Sequence, residues 1–204
     1  ASRPVTDFSE VHLAVSPVDP DHLIGSSKFF YDGANYRFYT GVFESLDGGA
    51  TWAQEQPLGL ELYSLTSDPV NTFDHLGNGY FTLLTRGPTG LDMLKKPRGK
   101  PWEGPVVVDR STVTDKQWIV GDQDLNETSR FPGRLYMSWT DVSSPSRILV
   151  AHSADGNKTW SAPQELATGN LQGSQVAVGP DGTVYVLYGQ DIFGSAVAGA
   201  LMIT

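Results

Sequence analysis

Apolar positions in this chain come in short runs separated by turn residues, not in the three-to-four spacing of amphipathic helices. Three stretches share one form, a turn followed by a tyrosine-bearing apolar strand: HLGNGYFTLL (75–84), FPGRLYMSWT (131–140) and GPDGTVYVLYG (179–189). They put Tyr80, Tyr136 and Tyr185 at equivalent places. Asn78-Gly79 and Asp181-Gly182 are hairpin signals, because both pairs tolerate positive φ. Ahead of each hairpin lies another apolar strand: DPVNTFD, DKQWIVGD and SQVAVGP. Third strands follow in GVFES (41–45) and RILVAHS (147–153), and LMIT at 201–204 aligns with them. The unit is therefore about 50 residues and holds four antiparallel strands, which predicts an all-β propeller blade. The expected boundaries are roughly 20–58, 60–110, 114–166 and a partial 170–204, about three and a half blades in one incomplete domain spanning 1–204. Propellers have about 4–8 blades. The expectation is either a piece of a longer chain or a half-ring closed by a second copy.

The link from third to fourth strand carries its own pattern. SLDGGATW and SADGNKTW both read Ser-x-Asp-x-x-x-Thr-Trp: Ser45, Asp47, Gly49, Thr51 and Trp52, then Ser153, Asp155, Thr159 and Trp160. Gly48-Gly49 and Gly156-Asn157 suit positive φ, and the Asp, Ser and Thr side chains suit hydrogen bonds to the turn's own backbone. A structural clamp is expected. Trp102 ends a third, degenerate copy in which Gly99 matches Gly49 and Asn157 but Ser, Asp and Thr are lost.

These stretches resemble the Asp-box, or bacterial neuraminidase repeat, of sialidase-like β-propellers. The first is a full match, and the second has Asn157 in place of Gly. The resemblance implies turns at the blade periphery and a secreted or periplasmic protein with a carbohydrate ligand. It also implies glycoside hydrolase chemistry of sialidase type when complete. A non-catalytic glycan- or protein-binding propeller is the alternative. A sialidase-like enzyme needs three arginines around a carboxylate, a Tyr nucleophile assisted by a Glu, and an Asp acid/base. The first arginine normally sits in Phe/Tyr-Arg-Ile-Pro, and YRFY at 36–39 lacks the Ile and Pro. Arg37, Arg86 and Arg147 lie on or beside predicted strands, but no triad is assigned to them.

Composition narrows the function classes. The net charge is −9 and the only basic run is KKPRGK at 95–100, which disfavours nucleic-acid binding and suits a solvated hairpin tip. With no cysteine, disulfides, Cys-based zinc sites and a Cys nucleophile are excluded. No apolar run reaches the roughly 20 residues of a membrane span, so membrane insertion is not expected. ASRPVTDF does not read as a signal peptide.

Propeller ligands are expected where inner strands begin. Three stretches qualify: Asp68, Asn71 and Asp74; Asp115, Lys116, Trp118 and Asp122; and Lys28, Tyr31 and Asp32. Asp68 and Asp115 are read as equivalent, and as the candidate acid/base pair. Arg37, Lys116 and Trp118 are the candidate substrate contacts, with Trp118 also suited to the core. His12, His22, His75 and His152 are isolated and lack metal-ligand spacing. Asp122, Asp124 and Asn126 resemble the start of a calcium loop, without its Gly at position six or its closing Glu. No cofactor is expected apart from that calcium possibility.

Overall fold

The computed structural model describes residues 7–57, 59–87, 89–126, 128–190 and 197–203, with backbone alone at 7 and 197–203. Three sheets of four strands and one of three follow each other along the chain. The first holds β1 (Asp7–Ser16), β2 (Asp19–Asp32), β3 (Arg37–Ser45) and β4 (Ala53–Glu55). The second holds β5 (Leu65–Phe73), β6 (Gly79–Arg86), β7 (Gly90–Lys96) and β8 (Glu103–Asp109). β9 (Thr114–Gly121), β10 (Leu135–Asp141), β11 (Ser146–Ser153) and β12 (Gln164–Gly169) form the third. β13 (Leu171–Val178), β14 (Val184–Gln190) and β15 (Val197–Ile203) form the fourth. All pairing is antiparallel, in chain order within each sheet. The first sheet begins well ahead of residue 20, because DFSEVHLAVS supplies its inner strand.

The first strands of successive sheets, β1, β5, β9 and β13, contact each other in sequence and line the axis. Each interface between sheets has its own apolar core. Ile24 and Val42 meet Phe73, Phe81, Leu83, Leu94 and Trp102 between the first and second sheets. Val70, Tyr80 and Met93 meet Ile119, Met137 and Trp139 between the second and third. Tyr136, Ile148 and Val150 meet Leu171, Val176, Val184 and Val186 between the third and fourth. Strand alternation explains this: within β10, Met137 and Trp139 face one neighbour while Tyr136 faces the other, so every residue of the strand is buried. The outer faces differ. Val11, Leu13 and Val15 of β1 are exposed, as are Tyr185 and Leu187 of β14.

The two Ser-x-Asp turns are closed clamps. Asp155 accepts the amides of Lys158 and Thr159 and the Thr159 hydroxyl, while the Ser153 hydroxyl donates to Asp155 and accepts the Asn157 amide. Asp47 is held the same way by Ser45 and by the Thr51 amide and hydroxyl. Asn157 does more than a glycine would: at φ 74° its side-chain amide donates to Met93 of the second sheet and its Oδ1 accepts from the Trp160 indole. In the degenerate copy Gly99 keeps positive φ, 69°, but the buried Trp102 Nε1 has no partner. At the second sheet's hairpin it is Gly77, not Asn78-Gly79, that takes positive φ.

Candidate functional site at the axis

Each inner strand carries one extra residue relative to its partner. Ser9 and His12 face Lys28 and Ser26. Ser67 and Val70 face Leu84 and Thr82. Asp115 and Trp118 face Thr140 and Ser138, and Gln172 and Ser174 face Gly189 and Tyr188. These are four β-bulges at one level of the ring. The residue opening each bulge is left-handed: Glu10 at φ 55°, Asp68 at 52°, Lys116 at 49° and Gly173 at 65°. Side chains in this region cost of order 1–3 kcal/mol each and persist where surrounding structure dictates them. Asp68 is thus equivalent to Lys116, and Asp115 to Ser67. The expected equivalence of Asp68 and Asp115 is off by one, because the bulge shifts the register that strict alternation implies.

The bulges turn three side chains onto a common point. Lys116 Nζ lies 2.9 Å from Asp68 Oδ2 and 3.6 Å from Glu10 Oε1. The Asp68 amide donates to Glu10 Oε2 at 3.1 Å. The Ser67 hydroxyl reaches both Asp68 Oδ1 and Glu10 Oε2, and its one proton serves one of them at a time. Lys28 Nζ sits 3.4 Å from Glu10 and 4.3 Å from the Phe38 ring centroid, with Phe30 and Tyr36 also flanking it. Burial pushes the Asp68 carboxyl up, but the Ser67 hydroxyl and the Lys116 ammonium outweigh it and hold the group below the usual carboxylate range. Burial likewise favours neutral Lys116, and Asp68 reverses that, raising its pKa. At neutral pH Asp68 is therefore an anion, fit to accept hydrogen bonds or a proton but not to donate one.

Two cavities share Glu10, Asp68 and Lys116 as a common wall. The larger, about 520 Å³, adds His12, Trp118, Gly173 and Tyr188. The smaller, about 390 Å³, adds Lys28, Tyr36, Arg86 and Asp115. Both volumes suit a small ligand. The His12 Nδ1 accepts the Asn71 amide at 3.1 Å, so its neutral ring carries the proton on Nε2. Burial lowers its pKa. The ring stands edge-on to Trp118 with centroids 5.1 Å apart.

Asp68, Asp115, Lys116 and Trp118 all reach these cavities, and Asp115 accepts from the Gln172 amide at 2.5 Å. Other candidates serve the fold. Asn71 ties the second inner strand to His12, Ile24 and Ser26. Asp74 clamps its hairpin through Leu76, Asn78 and Tyr80. Asp32 closes a turn with Asn35, and Tyr31 stacks on Tyr39. Asp122 and Asp124 accept from the loop that contains them, Asp122 from the Asp124 amide and the Ser129 hydroxyl, and Asp124 from Asn126, Thr128 and Ser129. The supposed calcium loop is thus tied by its own donors, and no group of three metal-ligating side chains occurs among the described residues. Arg37 is exposed at the β2–β3 hairpin, Arg86 borders the smaller cavity, and Arg147 is held by Asp141 and Glu165. Of the three, only Arg86 lines either cavity, and Arg147 is engaged by Asp141 and Glu165.

Glu10 escapes the sequence reading, and His12 enters it only as an isolated histidine. Their strand lies outside the expected first blade, and an isolated Glu among Ser and Val carries no motif. The one available signal is the alternation in SEVHLAVS, which marks an inner strand.

No protein-family model and no curated protein matches the chain. Solved structures do. The intramolecular trans-sialidase of Ruminococcus gnavus, in complex with oseltamivir carboxylate, superposes with TM-score 0.69 at 14% identity, over 99% of this chain and 69% of that one. Trypanosoma rangeli sialidase, in complex with the inhibitor DANA, gives 0.61 at 16%, over 97% of this chain and 37% of that one. An endo-arabinase of Bacteroides thetaiotaomicron gives 0.56 at 14%, over 91% and 72%. At such identities the likeness is one of fold, a β-propeller of antiparallel sheets.

Proposed function

We propose that the chain belongs to a carbohydrate-directed propeller protein whose ligand lies in the paired axial cavities. The supporting observation is the convergence of Glu10, Asp68 and Lys116 from three inner strands, at strained bulges, on the wall between two cavities. Carboxylates accept sugar hydroxyls, the ammonium donates to them, and Trp118 offers an apolar face to a ring. The larger structures that share this fold act on or bind glycans, as their names state. In an enzyme of glycoside hydrolase type, ionised Asp68 takes the base or charge-stabilising role, with Asp115 and Glu10 as carboxylates of the same site. We read the Ser-x-Asp turns as Asp-boxes, remote from that chemistry, and the protein as secreted or periplasmic. The exposed Leu13 and Val15 of β1 and Tyr185 of β14 are then packing surfaces for further blades, of a longer chain or of a second copy, while Val11 and Leu187 line the larger cavity.

A non-catalytic glycan-binding propeller is the second reading, favoured by the Lys116 pairing that occupies Asp68 and by cavity linings that include Arg86 but neither Arg37 nor Arg147. One experiment separates the two. The chain is titrated calorimetrically with sialyl, arabinofuranosyl and galactosyl oligosaccharides and assayed on the matching chromogenic glycosides. Turnover abolished by Asp68→Asn supports the enzyme. Binding without turnover supports the lectin-like reading. Absence of both binding and turnover overturns both readings.

A further inference from the structure

The four bulges differ in one respect. At three the left-handed residue carries a side chain that reaches the shared cluster, and at the fourth it is Gly173. The left-handed backbone favours a glycine there but admits a side chain at some strain, since Glu10, Asp68 and Lys116 hold nearly the same φ. Packing does not require it. Among the described residues, a Cβ added at Gly173 meets nothing within 4 Å. The bulge is anchored independently, by the Gly173 amide donating to the Thr140 hydroxyl at 3.0 Å. What the glycine supplies is space. That space is part of the 520 Å³ cavity, which Trp118, His12 and Tyr188 also border.

We propose that the open space beside Gly173 is a subsite for one saccharide ring, and that Gly173 is a specificity-determining residue. The ring takes the place of a fourth side chain. It rests against the Trp118 side of the cavity and turns its hydroxyls toward Glu10, Asp68 and Lys116. A side chain the size of asparagine at position 173 would crowd out the ring while tolerating the left-handed backbone, and one as small as cysteine would leave the ring room. This inference rests on the carbohydrate reading above and narrows it to a place.

The absence of cysteine allows a clean test. A Gly173→Cys variant is labelled with a maleimide, with and without the oligosaccharide that binds the native chain most tightly. Gly104→Cys, on the outer strand of the second sheet, is the control, because its Cβ is also unobstructed. Labelling at 173 should slow about tenfold with saccharide present, and labelling at 104 should not change. Gly173→Asn is the companion variant, since Asn tolerates the left-handed region. It should keep the native melting temperature within a few degrees and weaken binding at least about tenfold. Native binding with no protection of the thiol in Gly173→Cys, or native affinity in folded Gly173→Asn, overturns the subsite and leaves the carbohydrate reading standing. If no saccharide binds the native chain, the carbohydrate reading falls and the subsite with it.

Discussion

The Ser-x-Asp turns at the rim and the bulges at the axis both enlist carboxylates, to opposite ends. At the rim, Asp155 finds all its donors within four residues, and burial, which would raise its carboxyl, is outweighed by Thr159 and Ser153, leaving it at about 2. At the axis, Asp68 meets Lys116 from another sheet and donates its amide to Glu10 from a third. The rim uses glycine or asparagine where φ is positive, which relieves strain. The axis forces Glu, Asp and Lys into the same region, which stores it. Each rim clamp closes its own turn, with Asn157 reaching Met93 of the neighbouring sheet, and the axis holds strained charges beside a cavity, as a binding site does.

The contrast breaks if the axis proves to be merely structural. Asp68→Gly removes the strain together with the ion pair. We expect saccharide affinity to fall about ten- to a hundredfold, with stability within about 1 kcal/mol of native because the two changes offset. A large fall in melting temperature with affinity intact would assign the cluster to the fold. At the rim the expectation inverts. Asp155→Ala should cost about 1–2 kcal/mol, a melting shift of about 2–4 °C per kcal/mol, and leave affinity unchanged.

Titration sharpens the same difference. Asp155 and Asp47 have folded pKa values below the unfolded one, so their contribution is complete above about pH 4 and is lost as pH falls through the folded value, about 2 for Asp155. Asp155→Asn should flatten stability in that window. His12 is held neutral by burial, so protonating it costs stability as pH falls from about 6.5 toward its lowered folded value. His12→Gln should shrink that higher step, to which His152, also lowered by burial, contributes the remainder, as read by melting temperature from pH 4 to 8. The smallest effect separates the intact turn from the degenerate one. Trp160→Phe loses an indole hydrogen bond to Asn157 and should cost about 1 kcal/mol, while Trp102→Phe loses no hydrogen bond among the described residues and is felt as a gap in the core between the first two sheets.

The sequence by itself determined the repeat, the strand order within each blade and the clamps. Those features depend on residues close in the chain: period-two alternation, turn glycines, and Ser, Asp, Thr and Trp within eight positions. It also placed Asp68, Asp115, Lys116 and Trp118 on inner strands. Only the tertiary structure decided which of them meet. Glu10, Asp68 and Lys116 lie 58 and 48 residues apart and carry no common motif. What unites them is a one-residue bulge on each strand, which leaves the apolar pattern nearly intact while turning a neighbouring side chain to the axis. Nor does the sequence tell Gly173 from a turn glycine. Its meaning comes from the three side chains that occupy the equivalent place, and from the empty space that theirs would fill.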